Sequence, residues 1–446
     1  MNLLQAIESA GVIGCGGAGF PTHVKLKGQF EYLIVNGAEC EPLLRTDRYL
    51  MTNKASDLVR TVSTMAAELQ IPHAVIALKG HYYEECASLR QAIAAQNAPV
   101  TLHELESFYP AGDEQTIVYE VTGRVVPPAG LPAMVGAVVD NVATIYAIGQ
   151  ALLGHPFVWK YLTVTGEVNH PVVLKVPVGT SFNECLELAG GTRSDRFFVV
   201  SGGPMMGRPV TMADLESAVV TKTTSGILVL PPDGYHASHN KVSIDVMLRR
   251  ARSACIQCTQ CTQLCPRHLL GHELKPHMIM RKMARCQDID SLMDDPEIRN
   301  AQLCCECGIC ETYACPMSLQ PRTINSMLKK ELGARKIRYE RREDSWTPSS
   351  EREFRKAPSE RVAARVGVLD YYHYDIKELV KSEPSEVQIP LRMHIGAPSE
   401  PVVSVGQSVR RGDLIARIPE GALGENIHAS INGTVTAIGD RIVIRR

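Results

Sequence analysis

The segment EYLIVNGAECEP carries four apolar positions, 32–35, and then at once a polar loop with Asn36, Glu39, Glu41 and Pro42. Such a run, bounded by Gly and Pro, predicts a strand that delivers a polar loop at its end. An amphipathic helix over 3–10 precedes it. After it come a helical periodicity from about 47 to 69, a strand over 74–78, a helix over 83–95 and a strand over 100–103. Strand and helix alternate, which predicts an α/β layer with a mostly parallel sheet and ligands at the C-terminal strand ends, the loop 36–41 among them. From Trp159 the pattern changes to YLTVTGEVNHPVVLKVPVGTSFNECLELAGG. It reads as two strands around a turn, a Gly-Thr helix start and an amphipathic helix closed by Gly190 and Gly191, with a strand and glycine loop, FFVVSGGPMMG, beyond. The last sixty or so residues are short strands broken by glycine every few positions, which predicts a small all-β barrel or sandwich.

A chain of 446 residues exceeds what one core of about 250–300 residues can hold, so several domains are expected. The pattern divides it into an α/β domain over 1–156, a β-rich module over 157–240, a cysteine-rich helical domain over 245–335, a charged helix and linker over 336–385, and a β domain over 386–446. Charges nearly cancel, 47 Lys+Arg against 48 Asp+Glu, which argues against nucleic acid or anionic lipid as partner. In the charged stretch 336–385 acidic residues interleave the basic ones, which predicts a solvated surface. No basic segment precedes an apolar run at the start, and no stretch of about 18 apolar residues occurs. A soluble protein without signal peptide or transmembrane segment is expected.

Fourteen cysteines then point to metal ligation in a reducing compartment. Cys255, Cys258, Cys261 and Cys265 stand as C-x2-C-x2-C-x3-C-P, and Cys304, Cys307, Cys310 and Cys315 repeat it as C-x2-C-x2-C-x4-C-P. Two-residue gaps let three thiolates converge on one 4Fe-4S cluster, and in two-cluster ferredoxins the fourth cysteine serves the other cluster. Cys315 is therefore expected with Cys255, Cys258 and Cys261, and Cys265 with Cys304, Cys307 and Cys310. The alternative is a pair of structural zinc sites, which use separated C-x2-C pairs. Cys305 fits neither frame. Cys15, Cys40, Cys86, Cys185 and Cys286 are isolated and read as small buried hydrophobes.

The loop GCGGAGFPTHVK contains G-x-G-x-x-G at Gly14, Gly16 and Gly19, but a helix precedes it where a dinucleotide fingerprint requires a strand. Its glycines, Gly17 included, let backbone amides approach a phosphate or flat ring, and Lys25 could add charge; a plain turn is the competing reading. Downstream, FYPAGDEQ groups Tyr109, Gly112, Asp113 and Glu114, and VVDNVATIYAI sets Asn141 and Thr144 before a helix.

Taken in order, GCGGAGFPT, NGAECEP, YPAGDE and DNVAT resemble the flavin-binding domain shared by the flavoprotein subunit of respiratory complex I and the RnfC subunit of ion-pumping ferredoxin oxidoreductases. The resemblance implies FMN reduced by NADH. By motif, Gly14, Gly16, Gly17, Gly19, Lys25, Asn36, Glu39, Tyr109, Gly112, Glu114, Asn141 and Thr144 would meet the flavin, and Phe20 and Glu41 the nicotinamide nucleotide. The complex I pattern has a second aromatic shortly after the lysine, where this chain has Gly28. Residues from Trp159 resemble the SLBB β-grasp module of the same family, read here as a structural bridge or, alternatively, a corrin or partner surface. The C-terminal part resembles a barrel-sandwich hybrid of lipoyl type, without the modifiable lysine: Ile431, Asn432 and Gly433 occupy the turn.

The implied fold class is thus α/β and multidomain: α/β flavin-binding domain, β-grasp module, ferredoxin-like two-cluster helical domain and C-terminal barrel-sandwich hybrid. This order, with the barrel-sandwich last, is that of the corrin-reducing members of propanediol-utilising bacterial microcompartments. It implies an oxidoreductase passing electrons from NADH through FMN and two 4Fe-4S clusters to cobalamin, which an adenosyltransferase could present. Cytoplasmic location inside a microcompartment, beside shell or cargo proteins, is implied as well. The alternatives are the peripheral electron-input subunit of an Rnf-type complex and a non-enzymatic cluster-bearing scaffold. The D-x-H-x-x-G pattern of cobalt-ligating histidines is missing, with Pro266 in the acid's place, so His268, His272 and His277 are expected on helix surfaces.

Overall fold

The protein is described by a computed structural model, which covers residues 2–341 and 345–446. In the N-terminal domain β1 (Tyr32–Gly37), β2 (His73–Lys79), β3 (Val100–Leu105) and β4 (Ala137–Asn141) form a parallel sheet in the order β3-β2-β1-β4. The central β1 explains the unbroken apolar run, because it is covered on both faces. Leu33 and Val35 enter one core, with the helices α1 (Leu3–Ser9), α2 (Thr46–Asn53) and α3 (Ala55–Glu68). Ile34 enters the other, with Phe108, Ile117 and Val139. The single helix expected over 47–69 is two helices, because Lys54 leaves helical geometry at φ −127°. Apolar periodicity runs through the break, since Leu50 and Met51 before it and Leu58, Val59 and Val62 after it are all buried in the same core. Helix α4 (Tyr83–Gln96) completes that layer, and α5 (Glu114–Thr122) and α6 (Val142–Leu152) follow the polar loops at the C-terminal sheet edge.

The middle module is a six-stranded sheet. Its strands β5 (Trp159–Gly166), β6 (Val172–Pro177), β7 (Phe198–Ser201), β8 (Arg208–Val210), β9 (Gly226–Leu230) and β10 (Leu379–Lys381) lie in the order β10-β6-β5-β9-β7-β8. Helix α7 (Phe182–Leu188) starts on Ser181, whose hydroxyl accepts from the Glu184 amide, and its Phe182 and Leu186 fill the core under the sheet. Strand β10 comes from the stretch expected as solvated linker, of which residues 342–344 lie outside the described residues. That expectation is corrected for the residues beyond position 344: Ala357–Pro358 pairs with Phe108–Tyr109, and Val362 and Ala363 are buried against Leu43 and Leu44. The apolar residues that do this are sparse among the charges, so local composition hid them.

Three helices, α8 (Ile244–Ala254), α9 (Pro276–Arg285) and α10 (Pro321–Ala334), enclose a core of Met247, Ile279, Met280, Ile324 and Leu328, and the two cysteine loops run between them. The C-terminal residues form two facing antiparallel sheets around Ile389, Ile415, Val435 and Ile442. They are tied to the rest of the molecule. The Ile395 amide donates to the Gly19 carbonyl at 3.2 Å, and Glu425 pairs with Lys222 at 2.6 Å. Among the described residues no helix is long and apolar enough to cross a membrane.

Candidate active site

A cavity of about 450 Å³ opens at the C-terminal edge of the parallel sheet, within the roughly 300–1,000 Å³ usual for cofactor sites. All fourteen residues of the four motifs line it: Gly14, Gly16, Gly17, Gly19, Phe20 and Lys25 from the glycine loop and the turn after it; Asn36, Glu39 and Glu41 after β1; Tyr109, Gly112 and Glu114 before and at the start of α5; and Asn141 and Thr144 at the start of α6. The loops are locked to one another. The Cys15 amide donates to Thr144 Oγ1 at 2.9 Å, and Asn36 Nδ2 donates to the Gly112 carbonyl at 2.8 Å. A Cβ on Gly16 would stand 3.1 Å from Asn141, and one on Gly112 would stand 3.1 Å from the Asn36 carboxamide and Cys40 Sγ. Glycine here permits close loop packing and leaves a wall of backbone for a flat ring. Phe20 is 37 % exposed at the rim.

Several charged groups in the wall already have partners. Lys25 lies 3.0 Å from Glu114 and 3.6 Å from Asp140, and donates to the Val139 carbonyl. Burial disfavours its charge, but the two carboxylates outweigh that and hold its pKa above the ordinary lysine value. Glu39, at φ +37°, accepts from the Asp47 and Arg48 amides at 2.7 and 3.4 Å and so caps α2. Burial raises the pKa of both Glu39 and Asp47, and the Asp47 charge adds to the effect on Glu39. Glu41 accepts from the Met205 and Met206 amides, both at 2.8 Å, and burial pushes its carboxyl up to about 7. This residue, expected at the nicotinamide nucleotide, thus also clasps the glycine loop of the β-grasp module.

Sequence reasoning missed Asp47, Asp140 and Lys160. Lys160 is 3 % exposed, lines the cavity and acts electrostatically on Cys15 and Asp47; its ammonium makes no hydrogen bond or ion pair among the described residues. A buried cation beside a backbone wall fits the phosphate end of a flavin mononucleotide. Cys40, read as an inert hydrophobe, accepts from the Gly112 amide at 2.7 Å and lines the cavity together with Cys15.

The second cysteine loop forms part of the wall. Cys305 and Cys307 line the same cavity, and the Tyr109 hydroxyl donates to the Cys307 carbonyl at 2.5 Å. Asp113, which caps α5, accepts from both Arg267 terminal nitrogens, one at 2.9 Å, two residues after Cys265. Cys255, Cys258, Cys261 and Cys315 surround one small cavity. Cys310 is within electrostatic reach of Cys304 and Cys265 and, across the gap between sets, of Cys261. Among the described residues no three His, Cys, Asp or Glu side chains converge tightly enough for a single ion. Four thiols around a void suit a cubane, whose ligands sit on its outer corners. Of the three histidines expected on helix surfaces His272 is the buried one, 2 % exposed and 2.9 Å from the Val126 carbonyl, with burial lowering its pKa to about 4, whereas His268 and His277 are half-buried on their helices, His277 Nδ1 lying 2.7 Å from Thr262 Oγ1.

A flavin-type cavity walled in part by one of two cysteine loops defines an iron–sulfur flavoprotein, an oxidoreductase carrying electrons between a two-electron and a one-electron carrier. The family profiles agree: the Nuo51 FMN-binding domain matches residues 7–150, the SLBB domain 161–209, a 4Fe-4S dicluster domain 254–320 and the RnfC barrel-sandwich hybrid domain 375–446. The chain is 42% identical over 446 residues to cobalamin reductase PduS of Salmonella typhimurium, covering 99% of this chain and 96% of that one. It is 40% identical to PduS of Citrobacter freundii, again over 99% and 96%. To a subunit of the Na(+)-translocating ferredoxin:NAD(+) oxidoreductase complex of Acetobacterium woodii it is 33% identical, over 65% of this chain and 63% of that one. The chain belongs to the PduS family, within the wider group of RnfC and complex I flavoprotein-like proteins.

Proposed function

We propose that this protein is an NADH-dependent cobalamin reductase. The observation that carries the reading is the shared wall: the cavity lined by the flavin motifs is also lined by Cys305 and Cys307. Its relatives over the full chain bear the name cobalamin reductase, which supports a corrin as acceptor in cob(III)alamin or cob(II)alamin form. FMN, when bound, accepts a hydride and gives up electrons singly, which the one-electron clusters require.

The chain's own residues do the rest. Gly14, Gly16, Gly17, Gly19, Asn36, Gly112, Asn141 and Thr144 hold the flavin by backbone and short polar contacts. Lys25 and Lys160 supply positive charge, while Glu39, Tyr109 and Glu114 fix the loops. Phe20 at the rim stacks on the nicotinamide nucleotide, and Glu41 meets it while holding the 205–206 loop. Cys265, Cys304, Cys307 and Cys310 ligate the cluster nearer the cavity, and Cys255, Cys258, Cys261 and Cys315 the further one. Cys258 is exposed beside Ile256 and Met317, 62 % and 40 % exposed, and this face is where electrons leave. The acceptor is cobalamin, free or presented by an adenosyltransferase, among the shell and cargo proteins of a propanediol microcompartment.

Anaerobic titration of the flavin- and cluster-loaded protein with NADH, followed by hydroxocobalamin, tests this. Flavin bleaching, then the spectral change of corrin reduction, is expected; bleaching without corrin reduction would overturn the acceptor. Similarity to a component of an ion-translocating complex supports a second reading, electron input to a membrane assembly. Under that reading membrane subunits co-purify with the chain, and under ours microcompartment proteins do.

A further inference from the structure

A second cavity, of about 380 Å³, lies behind the first, between α6, the start of β5 and the C-terminal domain. The two share Cys15, Ala143, Lys160 and Tyr161, so they meet where the unpaired buried lysine stands. No acidic residue lines the second one. Its distinctive element is Trp159, an indole approached by three cations: Lys175 Nζ 5.4 Å, Lys381 Nζ 4.8 Å and the Arg411 guanidinium 4.8 Å from the ring centre. Lys175 also lies 5.3 Å from the Tyr161 ring and has no ion pair among the described residues.

Collecting like charges costs free energy unless something negative offsets them. The carboxylate paired with these cations is Glu383, 2.8 Å from Arg411 and 3.9 Å from Lys381, and it is shared with Arg446 at 2.5 Å. Asp47, in the first cavity, lies within electrostatic reach of Lys160. Lys175 is left without an ion pair among the described residues. Burial, with Lys381 and Lys54 adding to it, lowers the Lys175 pKa, as expected of a cation facing other cations in a recess.

We infer that this second cavity binds a nucleotide-type ligand, a phosphate ester or anhydride carrying a planar base, with Lys175 on the phosphate and Trp159 against the base. The indole and tyrosine rings supply the stacking face, and the cations around them supply the anion recognition. The inference rests on the geometry of this recess and not on which donor or acceptor the flavin serves. Two sources carry the same chemistry: a free adenine nucleotide, and the phosphodiester-linked base of a complete corrinoid.

The test uses the full-length protein with flavin and clusters loaded, in a Trp346→Phe background that leaves Trp159 as the sole tryptophan. ADP is titrated by tryptophan fluorescence, and cobalamin and cobinamide, which lacks the phosphate and base, by calorimetry. Saturable ADP binding that perturbs Trp159 and weakens at least tenfold in Lys175→Glu, with Lys175→Arg restoring it, supports the site and assigns it to free nucleotides. Lys175-dependent binding of cobalamin but not cobinamide supports it as well, and would put the corrinoid beside the flavin instead of at the Cys258 face. Failure of both ADP and cobalamin to bind, binding indifferent to Lys175, or equal binding of cobalamin and cobinamide without ADP binding overturns it. Flavin content and the circular dichroism spectrum of each variant show that a loss is not unfolding.

Discussion

A carboxyl group buried at a cofactor site states its own pH dependence. Glu41 in the folded chain titrates at about 7, above the ordinary glutamate value, because burial penalises its charge more than the two amides favour it. The native state therefore holds a proton that the unfolded state has released. The resulting stabilisation is complete below the unfolded pKa of about 4.3 and is lost as pH rises through about 7. Glu39 and Asp47 shift the same way. Flavin-depleted protein is expected to lose thermal stability steadily from pH 5 to 8. Glu41→Gln should flatten that slope by about 1–2 kcal/mol, read from denaturant midpoints across the range. The cysteines make a second residue-scale claim. If Cys315 serves the set of Cys255, Cys258 and Cys261, Cys315→Ser should impair the cluster remote from the flavin cavity and leave flavin reduction by NADH intact. Cys265→Ser should impair the nearer cluster and block flow to both. Iron content and low-temperature electron paramagnetic resonance after NADH addition separate these outcomes.

At the scale of elements, helix starts do the positioning, and that of α5 is tied to another domain. Asp113 caps α5 through the Thr116 amide at 3.1 Å and also accepts from Arg267, whose charge holds its pKa below the usual carboxylate range despite burial. The flavin-side helix and the turn after Cys265 are thus set by one buried pair. Removing one charge from such a pair costs about 3–5 kcal/mol. Asp113→Asn, which keeps the cap, should lower stability by about 3 kcal/mol in guanidinium titration and loosen the cluster fed by Cys265, seen as faster loss of its visible absorbance under chelator. Much at this level was legible beforehand. Unbroken apolar runs gave β1 and its parallel neighbours, and four short motifs gave fourteen residues that line one cavity. Asp47 was not legible because it reads as an ordinary first-turn acid of a helix, and Lys160 because it reads as a polar position of an alternating strand. Only the tertiary fold turns them inward. Strand β10 and the buried Val362 and Ala363 were hidden for the opposite reason: a few apolar residues in a charged stretch acquire meaning only when a distant sheet edge receives them.

In the whole molecule the last domain is welded to the first two by a buried charge cluster. Lys222 of the β-grasp module is 1 % exposed and donates to Glu425 at 2.6 Å, to the Gly11 carbonyl at 2.7 Å and to the Asn426 carbonyl at 3.2 Å; His394 lies 3.1 Å from the other Glu425 oxygen. Gly11 sits at φ +66°, and a Cβ there would stand 2.0 Å from the Asn426 carbonyl oxygen, so the first helix ends directly on the C-terminal domain. The barrel-sandwich domain is therefore a fixed buttress behind the glycine loop, touching it again at Gly19, and not a swinging arm. A double-mutant cycle measures this. Lys222→Met and Glu425→Gln should each cost about 3–5 kcal/mol, because each leaves its partner's charge buried and unpaired. The double variant should cost less than their sum by more than about 1 kcal/mol, since the pair is removed together. Flavin affinity should fall in both single variants, although neither residue lines the flavin cavity, because the loop from Gly11 to Gly19 loses its support. Single variants that unfold the C-terminal domain alone, with flavin affinity unchanged, would show that it stands apart from the site.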